Sequence, residues 1–86
     1  MSDKQLVKML RAMGNERRFS ILKHLYQKKK LSVSKISELI KLSFRSVSHH
    51  LSILSDAGLI EAEQVNLNRF YFISPELSKD ITKFFV

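Results

Sequence analysis

The chain of 86 residues has no cysteine, one proline, two glycines and only eight acidic side chains against fifteen lysines and arginines. Without cysteine there is no disulfide, no thiolate metal site, no cysteine nucleophile and no thiol redox sensor, so packing alone holds the fold. So few turn-forming residues argue against an all-β sandwich. No apolar run approaches the roughly 18 residues of a membrane span, and residues 1–10 lack the apolar segment of a signal peptide. The expectation is therefore a cytoplasmic protein with no membrane partner. Three histidines and scattered acids form no set of nucleophile, base and orienting group, and no glycine-rich loop is present to cradle phosphate. An enzyme is not expected.

What is present favours helices. Hydrophobic residues make up 44% of the chain and charged residues 27%, which is too apolar for disorder. The length suits one domain over residues 1–86, and at that size only about 60% of the unfolded surface is buried on folding. A core that small is marginal, so a second subunit covering leftover apolar surface is expected. The positive charge is unevenly spread. Residues 4–45 carry twelve basic side chains and two acids, net +10, residues 46–86 carry three and five, net −2, and Asp3 brings the total to +7. Such a field draws polyanions, and composition alone does not separate nucleic acid from an anionic membrane surface.

Periodicity then places the elements. Leu6, Val7, Leu10 and Met13 predict an amphipathic helix over about 3–13, ended by Gly14. Asn15 suits the N-cap of a second helix carrying Phe19, Ile21, Leu22, Leu25 and Tyr26 to about Gln27. Leu31, Ser32 and Val33 read as a short β-like connector, and Ser34 as the cap of a brief third helix with Ile36, Leu39 and Ile40 inward. A fourth helix runs from about Phe44 to Asp56, with Val47, Leu51 and Leu54 on one side and Gly58 as its stop. Residues 59–65 and 69–74 form a hairpin around Asn66, Leu67 and Asn68. Pro75 breaks the second strand, and Leu77, Ile81, Phe84 and Phe85 predict a last amphipathic helix within 76–86. The sum is a mainly α fold with a small β-hairpin, five helices and a two-stranded wing, in the order of a winged helix-turn-helix.

Topology suggests function only weakly, so the side chains of the fourth helix carry the argument. At 100° per residue Arg45, Ser48, His49 and Ser52 share a stripe opposite the apolar one, with no acid before Asp56. Serines allow close approach to base edges, an arginine near the helix start can fork onto guanine, and a histidine reaches base or phosphate. Lys35 and Lys41 flank the third helix, where phosphate contacts set register. On the wing, Asn66, Asn68 and above all Arg69 are available to DNA, opposed by Glu61 and Glu63.

Two runs are also recognisable. Arg18-Phe19-Ser20-Ile21-Leu22 resembles an R-x-x-I-L signature, and Ser46-Val47-Ser48-His49-His50-Leu51-Ser52-Ile53-Leu54 followed by Ala57-Gly58-Leu59-Ile60 resembles S-V-S-H-H-L-x-x-L…A-G-L-I. Both are similar to the ArsR/SmtB family of winged-helix transcription regulators. The resemblance spans residues 10–74. It implies a homodimeric repressor whose fourth helix enters the major groove of a palindromic operator, with double-stranded DNA as partner. Its base-contacting positions correspond to Phe44, Arg45, Ser48 and His49, and Ser46 and Ser52 complete the set expected on DNA. Phe44 replaces the usual polar residue, which suggests contact with a thymine methyl group. His50, at the edge of the apolar stripe, and Arg18, beside a core face, are expected to be structural, and so is His24.

The resemblance also bears on ligands. Where many relatives carry a C-V-C thiolate pair, this chain has Ser32-Val33-Ser34, whose hydroxyls bind soft metals poorly. The last helix offers Glu76 and Asp80 but no histidine, so no metal and no cofactor are expected. Residues 3–13 and 76–86 are expected to pair across an isologous dimer interface through Leu6, Leu10, Leu77, Ile81, Phe84 and Phe85. The principal rival is a winged-helix module that holds a protein partner instead of DNA, favoured if Glu61, Glu63 and Asp56 surround the polar stripe. A membrane-surface role ranks third, since no helix joins a strongly basic face to exposed aromatics.

Overall fold

A computed structural model describes residues 1–86. Helix α1 (Asp3–Met13) starts at a capping box, in which the Gln5 amide donates to Ser2 Oγ at 3.2 Å and the Ser2 amide to Gln5 Oε1 at 3.1 Å. Helix α2 (Glu16–Lys28) is capped by Asn15, whose Oδ1 accepts from the amides of Arg17 and Arg18, both at 3.0 Å. Strand β1 (Leu31–Ser32), helix α3 (Val33–Ile40) and helix α4 (Phe44–Asp56) follow, then strands β2 (Ile60–Val65) and β3 (Asn68–Ile73). Helix α5 (Lys79–Thr82) and a 3₁₀ turn (Lys83–Phe85) close the chain. The architecture is the winged helix-turn-helix that the element order predicts.

Three details differ from the sequence reading. The sheet has three strands in the order β1-β3-β2, all antiparallel, because Leu31 and Ser32 pair with Tyr71 and Phe70. Ser32, not Ser34, caps α3. Its extended backbone ends the strand while its hydroxyl accepts from the Lys35 amide at 3.1 Å, so strand passes to helix without a loop. The last helix is cut to four residues and a 3₁₀ turn instead of running through 76–86. Residues 74–77 form a turn in which Ser74 Oγ accepts from the Glu76 amide at 3.4 Å, and no side chain caps the start of α5.

Seventeen residues form one apolar core, drawn from every helix, from Leu31 of β1 and from Ile60 of β2, with the partly buried Tyr71 and Ile73 of β3 packed against it. Ile21, Leu22, Leu25, Ile36, Val47, Leu51, Leu54 and Leu59 are wholly buried. Phe85 is buried with them and meets Phe19 and Tyr26 edge to face, with ring centroids 6.1 and 6.4 Å apart. Ile81 is also in the core. Both residues, expected at a subunit interface, are instead spent inside the protomer. Helix α1 shows the converse: Met9, Ala12 and Met13 face the core, whereas Leu6, Val7 and Leu10 remain exposed.

Candidate nucleic-acid interface

The recognition element begins at a tight turn. Lys41 ends α3 in the left-handed region (φ 56°, ψ 46°), and Ser37 Oγ donates to the Leu42 carbonyl. Ser43 then caps α4, accepting from the Ser46 amide at 3.1 Å and donating to Ser46 Oγ at 3.1 Å. At its far end α4 closes in a Schellman arrangement. The Leu59 amide donates to the Leu54 carbonyl at 3.1 Å and the Gly58 amide to the Ser55 carbonyl at 3.0 Å, with Gly58 at φ 78°. A Cβ at Gly58 would be strained in that conformation, which explains the glycine. Between these ends Val47, Leu51 and Leu54 hold α4 on α1, α2, α3 and β2.

What α4 leaves outside is the predicted polar stripe. Arg45, Ser46, Ser48, His49 and Ser52 are exposed, and so is Phe44 at 59%, an unusual exposure for an aromatic ring at a helix start. Arg45, Ser48 and Ser52 make no side-chain hydrogen bond within the protein, so their polar groups are free for an external partner. Lys41 is exposed beside them, in the turn between α3 and α4. Lys35 is exposed too, with its ammonium 3.6 Å from Glu38. A pair this open to water is weak enough to exchange for phosphate.

His50 lies on the flank of the same helix, half-buried, as the stripe geometry implied. Arg18 Nη1 approaches its Nδ1 at 3.4 Å, while Arg18 Nε donates to the Ala12 carbonyl at 2.7 Å and Nη2 to the Arg11 carbonyl at 3.5 Å. Burial, and then the charges of Arg18, His49 and Arg17, lower the His50 pKa from the ordinary histidine value. The shift favours the neutral ring, which can accept from the guanidinium.

The wing sorts its charges by register. Glu61 and Glu63 pair with Phe72 and Phe70, while Gln64 pairs with Arg69, Ala62 with Tyr71 and Ile60 with Ile73. Alternation puts the two acids on one face and Arg69 on the other, the face whose Ile60, Tyr71 and Ile73 pack on the helices. The acids are also occupied: Lys30 Nζ meets Glu63 at 3.1 Å, and Ser74 Oγ donates to Glu61 at 2.8 Å. Neither acid lies on the sheet face that packs against the helices. Arg69 lies over the Tyr71 ring at 5.6 Å and its Nε donates to Tyr71 Oη at 3.1 Å, which holds the guanidinium along the wing. Asn68 is exposed at the start of β3.

At the apex stands Leu67, 97% exposed, in a two-residue loop where Asn66 takes φ 57°. Sequence reasoning passed over Leu67. Its signal was an apolar residue between two asparagines at a hairpin tip, where burial is impossible.

Among other candidate sites, no three His, Cys, Asp or Glu side chains gather as a metal-binding group. Asp80 pairs loosely with Lys83 at 4.0 Å, and the Glu76 carboxylate makes no ion pair. No helix is long and apolar enough to cross a membrane.

Comparison with known proteins agrees with this geometry. Residues 15–62, from the cap of α2 into the first half of β2, match the model of bacterial regulatory proteins of the arsR family. The chain belongs to that family. It is thereby a winged helix-turn-helix, DNA-binding type of transcriptional regulator, and the proteins it matches are regulators rather than enzymes. It is 35% identical over 75 residues to the uncharacterized HTH-type transcriptional regulator MJ1325 of Methanocaldococcus jannaschii, covering 87% of this chain and 84% of that protein. It is 38% identical over 68 residues to the transcriptional activator HlyU of Vibrio cholerae, covering 79% of this chain and 62% of that protein. The structure of reduced HlyU superposes with a TM-score of 0.83 at 33% identity, over 95% of this chain and 82% of that one. A homodimeric winged helix-turn-helix DNA-binding domain, Mb0332 of Mycobacterium bovis, gives 0.83 at 26% identity, over 99% and 81%.

Proposed function

We propose that this family member binds a palindromic operator as a homodimer, reads it with α4, and represses transcription in the cytoplasm where the operator overlaps a promoter. The carrying observation is the exposed, acid-free face of α4, with Arg45, Ser48 and Ser52 uncommitted to the rest of the protein. Arg45 forks onto a guanine, Phe44 packs on a thymine methyl, and Ser46, Ser48, His49 and Ser52 line the groove floor and its nearer phosphates. Lys35 and Lys41 hold the backbone, while Asn68 and Arg69 bring the wing to the minor groove with Leu67 at its tip. No metal or other cofactor enters this reading.

Self-association rests on the other free surface. Leu6, Val7 and Leu10 are 36%, 45% and 49% exposed on one side of α1, and Phe84 is 55% exposed. With the half-buried Leu77 they form the isologous contact. The homodimeric Mb0332 domain supports it. Two copies of α4 then lie about 34 Å apart, one turn of B-DNA, and require an inverted repeat. Whether occupancy represses, or activates as in HlyU, depends on where the operator lies.

The test is fluorescence anisotropy of the protein on a labelled duplex from its own upstream region and on a scrambled duplex, across a salt series. Selective binding with a steep salt slope is the expected result. Equal, weak binding to both overturns it in favour of a protein-binding winged helix.

A further inference from the structure

Arg18 sits in the first turn of α2 and touches three elements at once. Its Nε and Nη2 reach the Ala12 and Arg11 carbonyls, which belong to the last turn of α1. The Arg11 carbonyl also accepts from the capping Gly14 amide at 3.2 Å, and the guanidinium adds to it, takes up the Ala12 carbonyl and meets the negative end of the helix dipole. The remaining arm of the fork, Nη1, points at His50 Nδ1 on α4. A planar cation with donors in fixed directions can bridge an oxygen pair and a ring nitrogen, which a lysine cannot do at once. His50 is adjacent to His49 in sequence, and their rings lie 6.1 Å apart, so whatever fixes one ring borders the exposed face of α4.

We propose that Arg18 and His50 are positioning residues for DNA reading: the guanidinium locks the recognition helix to the end of α1, the helix whose exposed apolar face joins the two subunits. The link thereby sets the angle of α4 relative to the dimer axis, and with it the register in which two copies of α4 meet successive major grooves. It requires His50 to be neutral, with its proton on Nε2: the lowered pKa favours the neutral ring, and a guanidinium donor 3.4 Å from Nδ1 favours the proton on Nε2. The reading role rests on the proposed DNA function; the mechanical link between α1 and α4 does not.

Two measurements on the full chain separate these. The first uses NMR on the free protein, in which ring ¹⁵N shifts report the His50 tautomer and residual dipolar couplings report the angle between α1 and α4. Wild type is expected to carry the Nε2–H tautomer. Arg18→Met and His50→Leu are each expected to change the interhelical angle. His50→Asn, which keeps an acceptor near the Nδ1 position, is expected to retain it. His50→Leu leaves the α1 carbonyl contacts in place, so a folding defect specific to Arg18→Met does not decide the matter. The second measurement is the ratio of affinities for the upstream and scrambled duplexes. Arg18→Met and His50→Leu should each lower that ratio about tenfold, the double variant no further than either single one, and His50→Asn should stay within about threefold of wild type.

A protonated or Nδ1–H ring at pH 7, or an unchanged interhelical angle in both variants, overturns the link whatever the duplexes show. A changed angle with an unchanged affinity ratio overturns its role in reading. A wild type that does not distinguish the duplexes overturns the DNA function itself, while the angle still judges the link.

Discussion

Helices α1 and α4 obey the same local rules and are used in opposite ways. Each begins at a serine whose hydroxyl accepts from the amide three residues on, each is amphipathic, and they span 11 and 13 residues. Helix α4 is embraced by three helices and a strand, which consume Val47, Leu51 and Leu54 and leave mostly polar groups outside. Helix α1 packs on α2 and α4 from one side only, so Met9, Ala12 and Met13 are covered while Leu6, Val7 and Leu10 are not. The surplus on α1 is apolar and suits a second protein surface; the surplus on α4 is hydroxyl, imidazole and guanidinium and suits nucleic acid. The lesson is that the residues left over after the core is filled assign each helix its partner.

Four changes test that contrast, beginning with the largest effect. Leu51→Ala removes a wholly buried side chain from the anchored side of α4 and should cost about 2–5 kcal/mol, read as a lowered midpoint in urea. Leu10→Glu strikes the open side of α1: the protomer should lose less than about 1 kcal/mol, yet a carboxylate buried in a dimer interface costs several times more. Sedimentation should therefore report a folded monomer, and a persisting dimer would place the interface elsewhere. Arg45→Ala should cost about 1–3 kcal/mol on the upstream duplex and far less on a scrambled one. Equal losses on both would reduce Arg45 to a phosphate contact. Lys41→Gly should relieve the left-handed backbone and raise stability by about 1 kcal/mol while weakening all duplexes alike and flattening the salt slope. A glycine that binds as tightly as lysine would remove Lys41 from the interface.

Much of this molecule was legible beforehand because helix periodicity and capping are local. The α4 stripe could be read from 100° steps, its end from Gly58, and the start of α2 from Asn15, since each depends on neighbours within a turn. The errors occurred where distant packing overruled local pattern. Leu77, Ile81, Phe84 and Phe85 repeat with helical spacing, yet the pocket between Phe19 and Tyr26 captures Phe85 and turns Phe84 outward. Leu6, Val7, Leu10 and Met13 look like a single apolar face, but the angle at which α1 meets α2 and α4 divides them. Local pattern points to Ser34 as the cap of α3, but β3 pairs with Leu31 and Ser32, ends the strand there and leaves Ser32 to cap the helix.

The amino-acid order by itself determined the helix-turn-helix, the wing, the polar face of α4 and the absence of thiol chemistry. These follow from composition, from the periods of helix and strand, and from caps acting over three or four residues. Only the tertiary structure decided which apolar residues remain free, on which sheet face Glu61 and Glu63 are held away from Arg69, and that one guanidinium joins the end of α1 to His50. Those outcomes depend on contacts between residues far apart in the chain, which no local pattern encodes.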